Sequence, residues 1–177
     1  MKLLAMFPPG CAKKNPVGVA MAISAYLCRF DVDKGGHAYI LHPMRSMMRL
    51  RSTDDVQNIL SIMHDCIEDH GDELTFEMLE VMGFESDVIT GLKLLTHDPS
   101  VEYDAYIRNM VSNELVSISL RIKVINAKQE DFRDNSDITR LKGLTEKDFE
   151  RMKKYHRNSM YLKEKKAVLE ARLFSDH

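Results

Sequence analysis

The sequence predicts an all-α protein, a single helical bundle. Three observations predict it. Apolar residues recur at spacings of three and four through most of the 177 residues, the period of a helix face. Turn-forming residues fall between these stretches and rarely inside them. The one β-prone stretch, Leu115–Ile125 (LVSISLRIKVI), has helical neighbours and no evident partner strand. A hydrophobic fraction of 44% suffices for a core, and the length suits one domain of roughly 100–200 residues.

The elements follow in order. Val19–Phe30 has the apolar spacing of a helix, and Asp31–Gly36 (DVDKGG) is a turn-rich loop. Pro43 suits the first position of a second helix, with Met44, Met47, Met48 and Leu50 on one face. Thr53 is expected to cap a third, whose positive end favours Asp54 and Asp55. Val56, Ile59, Leu60 and Met63 form its buried stripe, and the same helix is expected to carry His64–His70. Thr75 caps a short helix that stops at Gly83, and Ser86 or Asp87 caps another ending near Leu95. After Pro99 and Ser100, Tyr103–Val111 is helical, and Val116 to about Phe132 is read as helix in preference to strand. Thr145 and Asp148 resemble a capping box opening a long charged helix to about Phe174. The twelve methionines are read as core filler.

Composition excludes several classes. A net charge of −2 without a basic stripe argues against nucleic-acid binding. No window approaches the roughly 20 apolar residues of a membrane helix. The run Met1–Phe7 is too short for a signal sequence and is cut by Pro8-Pro9-Gly10. Cys11, Cys28 and Cys66 are odd in number and scattered, which suits neither a disulfide framework nor a zinc knuckle. A cytoplasmic protein with reduced thiols is expected, and any metal should be held by histidine and carboxylate.

The chemistry concentrates in His64-Asp65-Cys66-Ile67-Glu68-Asp69. At helical spacing His64 neighbours Glu68, and Asp65 neighbours Asp69. Neutral imidazole with carboxylate is a ligand set for Mn, Fe, Zn or Mg. Neighbouring side chains on one helix do not close a metal shell, so other segments must contribute; His42 before Pro43, and Asp131, are the candidates. His97-Asp98 is also a His-Asp pair, but it precedes Pro99 without carboxylates at helical spacing, and is read as a turn.

In this order the pieces resemble the HD-superfamily metal phosphohydrolases. They are most similar to the hydrolase domain of RelA/SpoT-type alarmone enzymes and their small stand-alone relatives. The pieces are Lys34–Pro43 (KGGHAYILHP), His64–Asp69, Leu95-Thr96, Tyr103–Ile107 and Asp131–Asp137 (DFRDNSD), spanning about 18–163. The resemblance implies hydrolysis of the 3′-diphosphate of guanosine tetra- or pentaphosphate, usually with Mn²⁺. It implies His42, His64, Asp65 and Asp131 as metal ligands, and Glu68 and Asp69 acting on water and leaving group. It implies Lys34 on substrate phosphate, Asn135 on the nucleotide sugar and Tyr106 in the nucleotide pocket. Two alternatives stay open: an HD phosphohydrolase for another 3′- or 2′-phosphorylated nucleotide, and a non-catalytic nucleotide-binding module.

The chain departs from the family pattern in places. Asp33 stands where the long enzymes tend to have arginine, and Glu130 where a small residue is usual. The stretch from Asn113 to Asp131 is longer than in small relatives. A register placing Asn126 at the aspartate position is disfavoured, because only Asp131 brings Asn135 four residues later. At 177 residues there is no room for the family's synthetase domain. His37 and His70 lie outside the pattern and are read as structural or solvent-facing.

Overall fold

The structure, a computed structural model, describes residues 2–175. Met1, which opens the apolar run Met1–Phe7, and the last two residues of the chain lie outside the described residues. The described residues form ten α-helices: α1 (Lys2–Met6), α2 (Pro16–Leu27), α3 (Leu41–Leu50), α4 (Asp55–Met63), α5 (Cys66–His70), α6 (Phe76–Met82), α7 (Ser86–Leu95), α8 (Tyr103–Ser112), α9 (Ile118–Asn135) and α10 (Glu146–Ser175). Among the described residues there is no strand, and one isolated antiparallel bridge joins Val32 to Ala38.

Helix α9 is the hub. It packs against α3, α4, α7, α8 and α10, while α2 covers the far side of α4. The β-prone segment is therefore helix, as expected. Its Leu120, Val124, Ile125 and Phe132 are buried among Ile59, Leu60, Met63, Leu92 and Leu162 in one continuous core. Burial on many sides outweighs the modest propensity cost of β-branched residues in a helix.

Several local expectations are corrected. Asp54, not Thr53, caps α4: its carboxylate accepts the Gln57 amide at 2.8 Å and meets Lys123 Nζ at 2.6 Å. Pro43 is the third residue of α3, where the missing N–H costs nothing because first-turn amides have no helical partner. Met44 and Met47 pack against the core, but Met48 is 67% exposed. Glu85 occupies the position before α7, without a side-chain cap. Thr75 does cap α6, and Gly83 ends it at φ 88°, a conformation that favours glycine. At the start of α10, Asp148 accepts the Thr145 amide at 3.0 Å, as the capping-box reading expects.

The largest correction concerns His64–His70. The helix does not run through; it breaks at His64–Asp65, between α4 and α5. Side chains take the carbonyls that would continue it. His64 Nδ1 donates to the Ser61 carbonyl at 2.8 Å, and Ser24 Oγ donates to the Ile62 carbonyl at 2.9 Å. Those oxygens are the ladder partners of the Asp65 and Cys66 amides. The helical register resumes at once, since Asp69 N donates to Asp65 O at 2.9 Å.

Helices α4 and α7 approach closely at Gly91, where a Cβ would lie 2.6 Å from Leu60 Cδ2. Gly91→Val should overpack this contact and cost about 1–3 kcal/mol. Urea denaturation measures it; an unchanged midpoint would show that the two helices do not meet so closely.

Candidate metal centre and cleft

Two helices and the α4–α5 break bring four donors together. His42 comes from the start of α3, His64 and Asp65 from the break, and Asp131 from α9. His42 Nε2 lies 3.1 Å from His64 Nε2, 3.5 Å from Asp65 Oδ2 and 3.4 Å from Asp131 Oδ1. His64 Nε2 lies 3.1 Å from Asp65 Oδ2 and 3.6 Å from Asp131 Oδ1. His42, His64 and Asp131 are buried. The alternative Asn126 is elsewhere, donating to Gln57 Oε1 at 3.0 Å.

The hydrogen bonds of the outer ring nitrogens set the tautomers. His64 Nδ1 faces a carbonyl, which only accepts. His42 Nδ1 faces the Asp134 carboxylate at 2.8 Å. Both neutral rings therefore carry hydrogen on Nδ1 and turn bare Nε2 lone pairs toward each other. Two such nitrogens and two carboxylate oxygens repel unless positive charge lies among them. Metal bonds of roughly 2.0–2.2 Å put neighbouring ligand atoms roughly 3.0–3.5 Å apart, close to the spacing found here. His42, His64 and Asp65 fit a divalent ion, with Asp131 Oδ1 beside both histidines.

Protonation shows the same need for charge. Burial opposes a positive His42, but hydrogen bonds with Asp131, Asp134 and Asp65 outweigh it and raise its pKa to about 11. Burial likewise opposes a charged His64, and the Asp65 charge with hydrogen bonds to Asp131 and Asp65 raises it to about 9. Burial works to raise Asp131, but Lys128 and the two histidines hold it well below the usual carboxylate range.

Motif reading missed two partners of the cluster. Lys128, three residues before Asp131 on α9, is buried and pairs with Asp131 Oδ2 at 2.8 Å. Asp134, fully buried, takes Nδ1–H of His42, a two-point contact from Arg45 at 2.8 and 2.9 Å, a contact from Arg49, and Arg140 Nη2 at 3.2 Å. The arginines neutralise a carboxylate that orients the His42 ring from behind.

The centre opens into a cleft of about 370 Å³ whose wall includes His42, Lys34, Asn135, Tyr39, Arg140 and Arg151. Asn135 donates to Asp131 Oδ1 one turn away. Lys34 is exposed, its Nζ 3.9 Å from Asp148. Asp33, where the long enzymes tend to have arginine, accepts from the Gly35 and His37 amides and pairs with Arg140 at 2.9 Å, which brings a guanidinium to the cleft. Tyr39 donates to Asp65 Oδ2 at 2.6 Å. A larger groove of about 770 Å³ runs between α9 and α10, past Glu130 and Arg133, but none of the four donors lines it. The cleft at His42 is therefore the candidate site.

Glu68, Asp69 and Tyr106 differ in placement. Glu68 accepts the His97 amide at 2.9 Å, tying α5 to the turn after α7. That turn is the His97-Asp98 pair, a turn as expected, yet in contact with the motif. Burial and the charges of Asp65 and Glu68 raise the pKa of Asp69. Tyr106 is buried, donates its hydroxyl to the Leu95 carbonyl and packs tilted against His97, ring centroids 4.8 Å apart. It is not among the residues lining the cleft.

No family model and no curated protein matches the chain. Among solved structures, the chain is similar to a metazoan ortholog of SpoT described as hydrolyzing ppGpp and playing a role in starvation responses. The TM-score is 0.65 at 17% identity, over 90% of this chain and 96% of that one. What the two chains share is the fold, a bundle of α-helices without a strand among the described residues.

A pH dependence follows for the metal-free protein. His42 and His64 bind protons more tightly folded than unfolded, from an ordinary value of 6.5. Their contribution is full below that value and is lost as pH rises through about 9 and about 11. With chelator present, the urea midpoint should therefore fall between about pH 7 and about pH 10. A level profile over that range would contradict the buried charge cluster.

Proposed function

We propose that this protein is a metal-dependent phosphohydrolase that cleaves the 3′-diphosphate from guanosine 3′,5′-bis(diphosphate) and the corresponding pentaphosphate. The products are pyrophosphate and GDP or GTP. The observation that carries the reading is the four-donor cluster, with its two Nε2 lone pairs face to face, at the edge of a cation-lined cleft. The shared fold with a ppGpp hydrolase and the motif order support the substrate class.

His42, His64, Asp65 and Asp131 would hold the ion, with Mn²⁺ as the preferred occupant. A divalent ion there supplies a bound water of lowered pKa and offsets phosphate charge. Asp134 keeps the His42 ring in the Nδ1–H tautomer, so that Nε2 stays a donor of electrons. Lys128 balances the second oxygen of Asp131. Lys34, Arg140 and Arg151 line the cleft and meet the phosphates, and Asn135 meets the ribose. Glu68 and Asp69 take the proton of the attacking water and return one to the departing 3′-oxygen. Asp69 suits the proton-carrying half, because burial raises its pKa. Water oxygen bonds to phosphorus as the bond from phosphorus to the 3′-oxygen breaks, so GDP or GTP departs with a 3′-hydroxyl and the attacked diphosphate becomes pyrophosphate.

The test is product analysis with ppGpp as substrate. Pyrophosphate release with Mn²⁺, abolished by chelator, is expected; adenosine and guanosine substrates cleaved at equal rates would contradict guanosine specificity. Replacing Glu68 by Gln and Asp69 by Asn together should leave Mn²⁺ bound, measured by calorimetry, and lower kcat at least about a hundredfold. Full turnover in that variant would remove the roles assigned to them. Lys34→Ala removes an exposed cation, so thermal stability should hold while KM for ppGpp rises roughly tenfold, the worth of a charge-assisted contact of about 1.5 kcal/mol. An unchanged KM would place the phosphates elsewhere.

A further inference from the structure

We propose that Cys28, Asp31 and His70 form a second metal site, specific for Zn²⁺, that fastens the loop bearing Lys34 to helix α5. The site is separate from the four-donor cluster and shares no residue with it. Cys28 opens the 3-10 turn Cys28–Phe30, Asp31 follows that turn, and His70 is the last residue of α5. The fold brings one sulfur, one carboxylate oxygen and one imidazole nitrogen within 4.8 Å of one another. His70 Nε2 and Asp31 Oδ2 are 3.0 Å apart.

The donor chemistry selects the ion. Thiolate with imidazole and carboxylate is a borderline-soft set that suits Zn²⁺, whereas Mg²⁺, Ca²⁺ and Mn²⁺ favour oxygen. Burial is graded across the site: Cys28 is buried, the His70 side chain is 15% exposed and Asp31 42%. An open cleft passes His70, Asp31, Tyr39 and Asp69. Three protein donors with a fourth position facing solvent is an arrangement that tetrahedral zinc accepts, with water completing the shell. A plain His70–Asp31 ion pair would require no thiol beneath it. Binding replaces the Cys28 S–H bond with a sulfur–zinc bond and releases that proton to solvent.

The position gives the site a consequence. Asp31 lies three residues before Lys34, and His70 directly follows Asp69. An ion here ties the phosphate-facing loop to the helix carrying the two acids. It also departs from the expectation that the scattered cysteines take no part in metal binding: two of its ligands are i and i+3 around a turn, and the third arrives 39 positions later, from Asp31 to His70.

Cobalt(II) titration of the full chain, followed by near-ultraviolet absorption, tests this. The four-donor cluster contains no sulfur, so a thiolate-to-cobalt charge-transfer band reports the second site alone, whether or not the first is catalytic. The expected result is that band, competed away by Zn²⁺, with two metal equivalents bound per chain. Cys28→Ser should lose the band and one equivalent, His70→Asn should weaken Zn²⁺ binding at least about tenfold, and Cys66→Ser should keep both. Cobalt bound without the band, or a band lost in Cys66→Ser and kept in Cys28→Ser, would overturn the assignment.

Discussion

Four electron-pair donors face one another inside this protein, and that arrangement is stable only with positive charge among them. His42 and His64 present Nε2 to each other across 3.1 Å, beside oxygens of Asp65 and Asp131. Much of the surrounding structure answers this constraint. The α4–α5 break turns His64 and Asp65 inward, and α9 crosses behind to supply Asp131 and Lys128. Removing one member would leave the others uncompensated in a low-dielectric interior, where an unpaired charge costs several kcal/mol.

A second layer of charge holds the first. Asp134 is surrounded by His42, Arg45, Arg49 and Arg140, so the carboxylate behind the His42 ring is itself neutralised. Arg140 reaches in two directions, to Asp134 and to Asp33 in the Lys34 loop. The loop that borders the cleft is thus tied by charge to the helix that borders the centre. Stability and site geometry share residues here: Arg140 both neutralises the carboxylate behind the His42 ring and lines the cleft wall.

The helices were legible because their causes are local. Capping residues, glycine stops and apolar spacing mark α6, α8 and α10 without reference to distant contacts. The break at His64 was not legible, since it depends on Ser24, forty positions earlier, taking the Ile62 carbonyl. The four-donor set was visible as separated motifs, and the fold brings those residues to one place. Lys128 and Asp134 were not singled out, although each lies three residues from Asp131, because a charged residue on a helix is ordinarily solvated. Tyr106 shows the converse: its place in the motif order suggested the pocket, but its hydroxyl is spent on the Leu95 carbonyl. Arg140 was missed because its partner Asp33 lies 107 positions away in sequence.

The central claim is that the cluster of His42, His64, Asp65 and Asp131 is built for one divalent ion. Crystals grown with millimolar Mn²⁺ and measured on both sides of the manganese absorption edge test it most directly. The account predicts an anomalous peak bonded to Nε2 of both histidines and to the carboxylates of Asp65 and Asp131. A peak elsewhere in the molecule, or none within that cluster, would contradict it.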